Sequence, residues 1–109
     1  MDLECAGGIS ANPVTQMDIE RAFDDDKGRG EYIILSQNPD TFMQAAGEGN
    51  GPYVLEYRDG EIPAHFQCTM KLVKAQVRDA FIKYFNGDPT WETSYEWEPL
   101  SDKPWWKFW

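Results

Sequence analysis

The chain has 109 residues, which is enough for one domain that buries a hydrophobic core without metal ions or disulfide bonds. Its 10 Lys and Arg residues stand against 19 Asp and Glu residues, so the formal net charge is −9. A surface this negative repels nucleic acid phosphates and anionic membranes, and it favours either a basic protein partner or simple solubility. The sequence shows neither a signal peptide nor a long apolar run, so we expect a cytoplasmic protein with reduced thiols.

The first 30 residues predict a short strand and a short helix. Residues 3–9 resemble a strand weakened by two glycines, which is typical of an edge strand or an ordered arm. Thr15 is a suitable N-cap for a two-turn helix over residues 17–24, whose apolar side chains share one face. The following residues 24–30 begin with three aspartates, and we interpret them as a solvated loop.

The middle of the chain predicts antiparallel strands. Residues 31–36 are apolar on both faces, which indicates a covered or central strand. A turn over residues 37–40 leads to a second strand over residues 41–46, and a glycine-rich loop follows over residues 47–52.

Residues 53–68 predict the hairpin around which the sheet is organised. The Asp59-Gly60 pair is typical of a two-residue type I′ turn. That turn would place Tyr57 opposite Ile62 and Tyr53 opposite Phe66 on an almost wholly apolar face. The other face would carry the polar side chains of Glu56, Arg58, Glu61, His65 and Gln67.

The last third of the domain predicts one long helix and one strand. Apolar residues at helical spacing indicate a helix over residues 71–85, with Thr69 as its cap and Asn86-Gly87 as its end. Residues 91–98 alternate strictly, so we expect a half-buried strand that exposes Glu92, Glu96 and Glu98. The predicted fold is therefore α+β: a curled antiparallel sheet of four to six strands, a short N-terminal helix, and the long helix packed on one face.

We assign residues 1–100 to a single domain and residues 101–109 to a Trp-rich tail. The tail is too short for a domain and too apolar for a free end. We expect it to pack on its own domain or on a second copy. Alternatively, it anchors a partner, because Trp is enriched at binding hot spots.

The sequence contains no recognisable catalytic or metal-binding pattern. The only histidine, His65, lies within a predicted strand opposite Val54, and Cys5 and Cys68 show no Cys-x-x-Cys spacing. One histidine and two distant cysteines do not form a zinc pattern, although a disulfide between the two cysteines stays open. We expect no cofactor and no enzymatic activity.

Several segments resemble a group of bacterial immunity proteins of polymorphic toxin systems, a group often paired with deaminase toxins. The similar segments are Asn-Pro with the short helix after it (residues 12–23), Phe-Met-Gln-Ala-Ala-Gly (42–47), Tyr-Val-Leu-Glu-Tyr-Arg-Asp-Gly (53–60), the helix end through Asp-Pro-Thr-Trp (84–91) and Trp-Glu (97–98). The resemblance implies an α+β fold and a cytoplasmic inhibitor that neutralises a toxin by binding it.

The leading hypothesis is a non-enzymatic module that binds and masks a basic toxin. The alternative is a self-associating structural domain that forms a homodimer through its aromatic tail. For the first hypothesis, carboxylates would steer the encounter and tryptophans would supply contact. The predicted partner-binding residues are Asp24, Asp25, Asp26, Glu56, Glu92, Glu96, Glu98, Trp105, Trp106 and Trp109.

Overall fold

Alternating apolar and polar residues form one antiparallel sheet, and helices pack against one of its faces. The computed structural model describes residues 1–60 and 65–100. It has an open sheet of seven strands, so the predicted α+β class is confirmed and the sheet is larger than expected. In chain order the described strands are β1 (Asp2–Cys5), β2 (Ser10–Ala11), β3 (Tyr32–Asn38), β4 (Thr41–Ala46), β5 (Val54–Asp59), β6 (His65–Cys68) and β7 (Trp97–Pro99).

The helices of the described residues follow β2 and β6. They are α1 (Gln16–Asp24), α2 (Asp26–Arg29), α3 (Lys74–Asn86) and α4 (Thr90–Thr93). The strand order across the sheet is β2-β1-β3-β4-β5-β6-β7. Strand β1 therefore lies between β2 and β3, and the prediction of an edge strand over residues 3–9 is wrong.

The core lies between one sheet face and helices α1 and α3. Strands β3, β4 and β5 contribute pairs of buried residues at alternate positions, and α1 and α3 contribute their predicted apolar stripes. Phe23 of α1 meets Phe81 of α3 edge to face, with ring centroids 5.5 Å apart. The cap of α1 at Thr15 and the left-handed Gly87 after α3 are both confirmed.

The hairpin has the predicted faces but a different register. Strand β5 ends at Asp59 and β6 begins at His65, and Tyr57 pairs with Phe66 instead of Ile62. The predicted two-residue turn is therefore wrong, and the register of β6 against β5 is shifted by four residues. Because four is an even number, each side chain of β5 and β6 keeps its predicted face. His65 lies opposite Arg58 and not opposite Val54.

Helix α3 begins later than predicted because Leu72 is held in an extended bridge. Tyr53 and Leu72 exchange both backbone hydrogen bonds, at 2.8 and 3.0 Å. Thr69 does not cap the helix: its N–H donates to the carbonyl of Glu96 at 2.9 Å. The N-cap position is Val73, whose N–H donates to Gln76 Oε1 at 2.9 Å.

The prediction of one strand over residues 91–98 is wrong. Asp88 Oδ1 accepts hydrogen bonds from the N–H (3.0 Å) and hydroxyl (2.8 Å) of Thr90, where α4 begins. Trp91 belongs to this short helix and its side chain is buried in the core, and of residues 91–98 only those of β7 (Trp97–Pro99) pair with the sheet. The loop predicted over residues 24–30 also contains a helix, α2, with a buried Arg29.

Candidate protein-binding surface

One face of the sheet is turned away from the buried core, and we call it the open face. On β3, β4 and β5 the buried residues alternate with partly or fully exposed neighbours, which point to this side. Within residues 1–60 and 65–100, the buried residues of α1 and α3 belong to the core on the opposite side.

The strand register aligns seven side chains of the open face into one row. The row runs Ser10, Glu4, Ile34, Gln44, Glu56, Gln67 and Glu98, one residue from each strand. At a strand spacing of about 4.8 Å, its length is roughly 29 Å. Three of its members are carboxylates and none is a Lys or Arg. We call it the glutamate row.

The rows on either side of the glutamate row add aromatic and aliphatic side chains. Tyr32, which is 40% exposed, is aligned with Ala46 and Val54 on one side. On the other side, Asp2, Ser36, Phe42, Arg58 and His65 form the third row. The open face thus combines carboxylates with partly exposed apolar groups.

The two cationic candidates of the third row are engaged with neighbours. Arg58 Nε donates to the carbonyl oxygen of Gly60 at 2.8 Å, and its guanidinium lies 3.7 Å from Asp40. His65 Nε2 lies 3.1 Å from Glu56 Oε1, and both side chains are about one-fifth exposed. The histidine therefore contacts a single carboxylate on the sheet surface.

The open face carries shallow depressions. One, of about 240 Å³, is lined by Tyr32, Ile34, Gln44 and Glu56. Another, of about 450 Å³, includes Asp2, Glu4 and Ser36. Depressions of this size can accept individual side chains of a partner.

The structure brings together only some of the predicted site residues. Glu56 and Glu98 share the glutamate row, whereas Glu92 lies on α4 and Glu96 precedes β7. The expected single strand face with three carboxylates therefore does not exist. Trp105, Trp106 and Trp109 lie outside the described residues.

The three aspartates at the junction of α1 and α2, Asp24, Asp25 and Asp26, make different contacts. Asp25 accepts from the N–H of Gly28 at 3.0 Å and so caps α2. Asp26 lies 2.6 Å from the guanidinium of Arg29 and 3.5 Å from Lys74 Nζ. These contacts, with that of Arg29 first, lower the pKa of Asp26. Asp24 is exposed at the end of α1.

Glu4 is the one carboxylate of the row that was not among the site residues predicted from the sequence. Its signal is the alternation of residues 1–5, in which Leu3 and Cys5 are buried and Asp2 and Glu4 are exposed. The alternation predicts the face, but it does not predict that β1 lies next to β3.

The cysteines offer no reactive site. Both are free and buried, and three strands separate β1, which carries Cys5, from β6, which carries Cys68. Strands that far apart lie roughly 19 Å from each other, well beyond disulfide reach. Burial raises the pKa of Cys5 to about 11, so this thiol stays protonated at neutral pH.

Across residues 1–60 and 65–100, no group of three or more His, Cys, Asp or Glu side chains is arranged to hold a metal ion. In the same residues, no helix has the length and apolarity that crossing a membrane requires. Comparison with protein-family models gave no match, and neither did comparisons with curated proteins and with solved structures.

Proposed function

We propose that this chain is a non-enzymatic protein-binding module, an immunity-type inhibitor that neutralises a basic toxin in the cytoplasm by covering its functional surface. The observation that carries the proposal is the glutamate row, which places Glu4, Glu56 and Glu98 on an open sheet face of a chain with net charge −9.

The charge pattern supports a basic partner. Carboxylates arranged in a row of roughly 29 Å create an extended negative potential, which accelerates encounter with a positively charged surface. Ile34 within the row, and Tyr32 and Phe42 beside it, supply apolar contact once the partner is bound.

The size of the open face supports a stable complex. The three rows hold seven, three and five side chains. At about 4.8 Å by 6.8 Å for each position, they cover roughly 490 Å². A standard protein–protein interface buries about 800 Å² on each partner, so this face accounts for most of one side.

The direct experiment is co-expression with the product of the adjacent gene. If that product is a toxin, the chain should protect the cells and should co-purify with the toxin. Glu4→Gln with Glu98→Gln should weaken both effects, since both side chains are exposed and neither is packed in the core.

The matched control removes the same charge elsewhere, through Glu31→Gln with Asp79→Asn. Both residues are exposed, and neither belongs to the glutamate row. The control should protect as well as the original chain. A non-toxic adjacent product that does not bind the chain would count decisively against the proposal.

A further inference from the structure

A second acidic feature lies at one end of the sheet, where β5 approaches α3 and α4. It is a cleft of about 210 Å³ whose lining includes three aromatic residues, Tyr57, Tyr84 and Trp91, and three acidic residues, Asp59, Asp88 and Glu92. We call it the aromatic cleft. It shares neither its aromatic nor its acidic residues with the glutamate row.

The aromatic rings form a fixed wall. Trp91 packs edge to face against Tyr57, with centroids 4.9 Å apart, and against Tyr84 at 5.7 Å. Each of the three side chains is only 8% exposed, so their positions are set by the core. Such a wall can accept an apolar chain without rearrangement.

The two tyrosine hydroxyls at the wall, those of Tyr57 and Tyr84, are protonated and have hydrogen-bond partners. The Tyr57 hydroxyl lies 3.5 Å from Glu92 Oε1, and burial, followed by the charge of Glu92, raises the pKa of Tyr57 to about 12. The Tyr84 hydroxyl accepts a hydrogen bond from Gln37 Nε2 at 3.3 Å, which leaves its own proton available to an acceptor.

The acidic residues at the cleft are Asp59, Asp88 and Glu92, against one cationic lining residue, Arg58. Arg58 is directed to the carbonyl of Gly60 and towards Asp40. Hydrogen bonds from Thr90, the backbone one first, lower the pKa of Asp88, so its carboxylate stays charged at neutral pH. The cleft is therefore negative where it opens and apolar along its wall.

The volume of the cleft decides the size of its occupant. Sites for drug-sized ligands and cofactors have volumes of roughly 300–1,000 Å³, above the 210 Å³ found here. One long side chain fits the available space. A side chain with an apolar stem and a cationic head matches both the wall and the opening.

We propose that the aromatic cleft receives one arginine side chain of the basic protein partner, with its stem along the rings and its guanidinium at the carboxylates. Arginine suits the site better than lysine, because its planar guanidinium can pair with a carboxylate through two hydrogen bonds. That the arginine belongs to a protein partner rests on the proposed function.

The test uses N-acetyl-arginine N-methylamide as the probe and N-acetyl-norleucine N-methylamide as the uncharged control. In a titration followed by backbone amide NMR, the arginine compound should shift resonances of the cleft residues saturably. The expected dissociation constant is on the order of 1 mM. Asp59→Asn with Glu92→Gln should weaken binding roughly fivefold or more, whereas Glu31→Gln should leave it unchanged.

Equal shifts from the norleucine compound, absence of saturation, or an unchanged dissociation constant in the cleft variant would overturn the proposal. The amide spectrum of each variant reports whether it is folded. Because the probe is a small molecule, its binding does not depend on the glutamate row. Glu4→Gln with Glu98→Gln should retain it, so failure of the cleft and failure of the proposed inhibitor function are separable.

Discussion

Arg29 is the residue on which the junction between α1, α2 and the glycine-rich loop depends. It is 1% exposed, and its guanidinium donates to the carbonyls of Ala22 (2.9 Å) and Phe23 (3.2 Å) and to the Tyr53 hydroxyl (2.9 Å). The guanidinium carbon also lies 5.6 Å from the ring centroid of Phe23. A buried cation thus satisfies the end of α1, where backbone carbonyls would otherwise lack partners.

Replacing Arg29 with Met should lower the free energy of unfolding by about 3 kcal/mol, because several buried acceptors lose a charged donor at once. The matched control is Arg21→Met on the exposed side of α1, which should change stability by less than about 0.5 kcal/mol. Urea denaturation of both variants measures the difference. Similar effects from the two substitutions would show that the buried contacts of Arg29 are not stabilising.

The burial of Arg29 could not be predicted from the sequence, because the residues around it are polar. Residues 24–30 contain three aspartates, one lysine and two glycines, a composition typical of a solvated loop. Only the tertiary structure brings Tyr53 and Gly49 over the guanidinium. Burial of a single charged residue leaves no periodic signal in the sequence.

At the scale of elements, the N-terminus of α1 is closed by reciprocal hydrogen bonds. Asp18 Oδ2 accepts from the N–H (2.8 Å) and hydroxyl (2.9 Å) of Thr15, and Thr15 Oγ1 accepts from the N–H of Asp18 at 3.3 Å. The backbone hydrogen bond, followed by that of the hydroxyl, lowers the pKa of Asp18. The cap is local, so the sequence predicted Thr15 as the N-cap correctly, but not the reciprocal hydrogen bonds with Asp18.

Thr15→Ala should destabilise the protein by about 1 kcal/mol, because one cap hydrogen bond to the backbone is lost. It should also move the pKa of Asp18 part of the way back towards its ordinary value. Thr93→Ala, at the last position of α4, is the control. Thermal unfolding measures stability, and NMR titration of the Asp18 carboxyl measures the pKa. An unchanged pKa in the Thr15 variant would contradict the hydrogen-bond assignment.

Three aspartates with lowered pKa values make the stability of the fold depend on pH in the acid range. Asp18, Asp26 and Asp88 each have a pKa below the ordinary value of 3.8, so the unfolded chain binds more protons around that pH. Their contribution to stability is therefore complete well above pH 3.8 and is lost as the pH falls through their lowered values.

Unfolding measured from pH 6 down to pH 2 should show this loss. Asp88→Asn should be less stable than the original chain at pH 6, and the difference should shrink towards pH 2. A difference that grows on acidification would contradict the direction of the shift.

The hairpin shows why an element can be predicted while its register is not. The faces of β5 and β6 follow from alternation, a local property. The position of the turn does not follow from alternation, because Gly60 has partners elsewhere. The N–H of Gly60 donates to the carbonyl of Asp40 at 2.9 Å, and the carbonyl of Gly60 accepts from Arg58. These contacts to the β3–β4 turn and to the Arg58 side chain compete with a two-residue turn, and the sequence pattern does not contain them.

In residues 91–98 the alternation of aromatic and polar residues is real, but it does not come from a single strand. Trp91 and Trp97 are both drawn inward by an aromatic cluster around Tyr57, from which their centroids lie 4.9 and 4.8 Å away. The alternating aromatic residues therefore pack into the same cluster, Trp91 from a short helix and Trp97 from a strand. The Asp88-Pro89-Thr90 segment, a typical helix start, was the signal that could have indicated α4.

At the scale of the whole molecule, the α+β class was predictable and the binding surface was only partly so. Glu56 and Glu98 were recognised as exposed carboxylates from alternation. Their alignment with Glu4 depends on strand order, which brings β1 between β2 and β3. Pairing between distant parts of the chain is what local patterns cannot supply.

The alternative of self-association makes a separate prediction at this scale. If the tail over residues 101–109 forms a homodimer, the chain of 109 residues should sediment as a dimer and a chain ending at Leu100 as a monomer. The inhibitor hypothesis requires no such difference in the absence of a partner. Sedimentation velocity of the two chains at equal concentration distinguishes them.

The central claim is that the glutamate row binds a basic protein. The most direct measurement is the dissociation constant for that partner, compared between Glu4→Gln with Glu98→Gln and the control Glu31→Gln with Asp79→Asn. We predict weakening of roughly tenfold in the row variant, mainly through slower association, and little change in the control. Equal affinities for the two variants, at low salt where surface charges act most strongly, would contradict the claim.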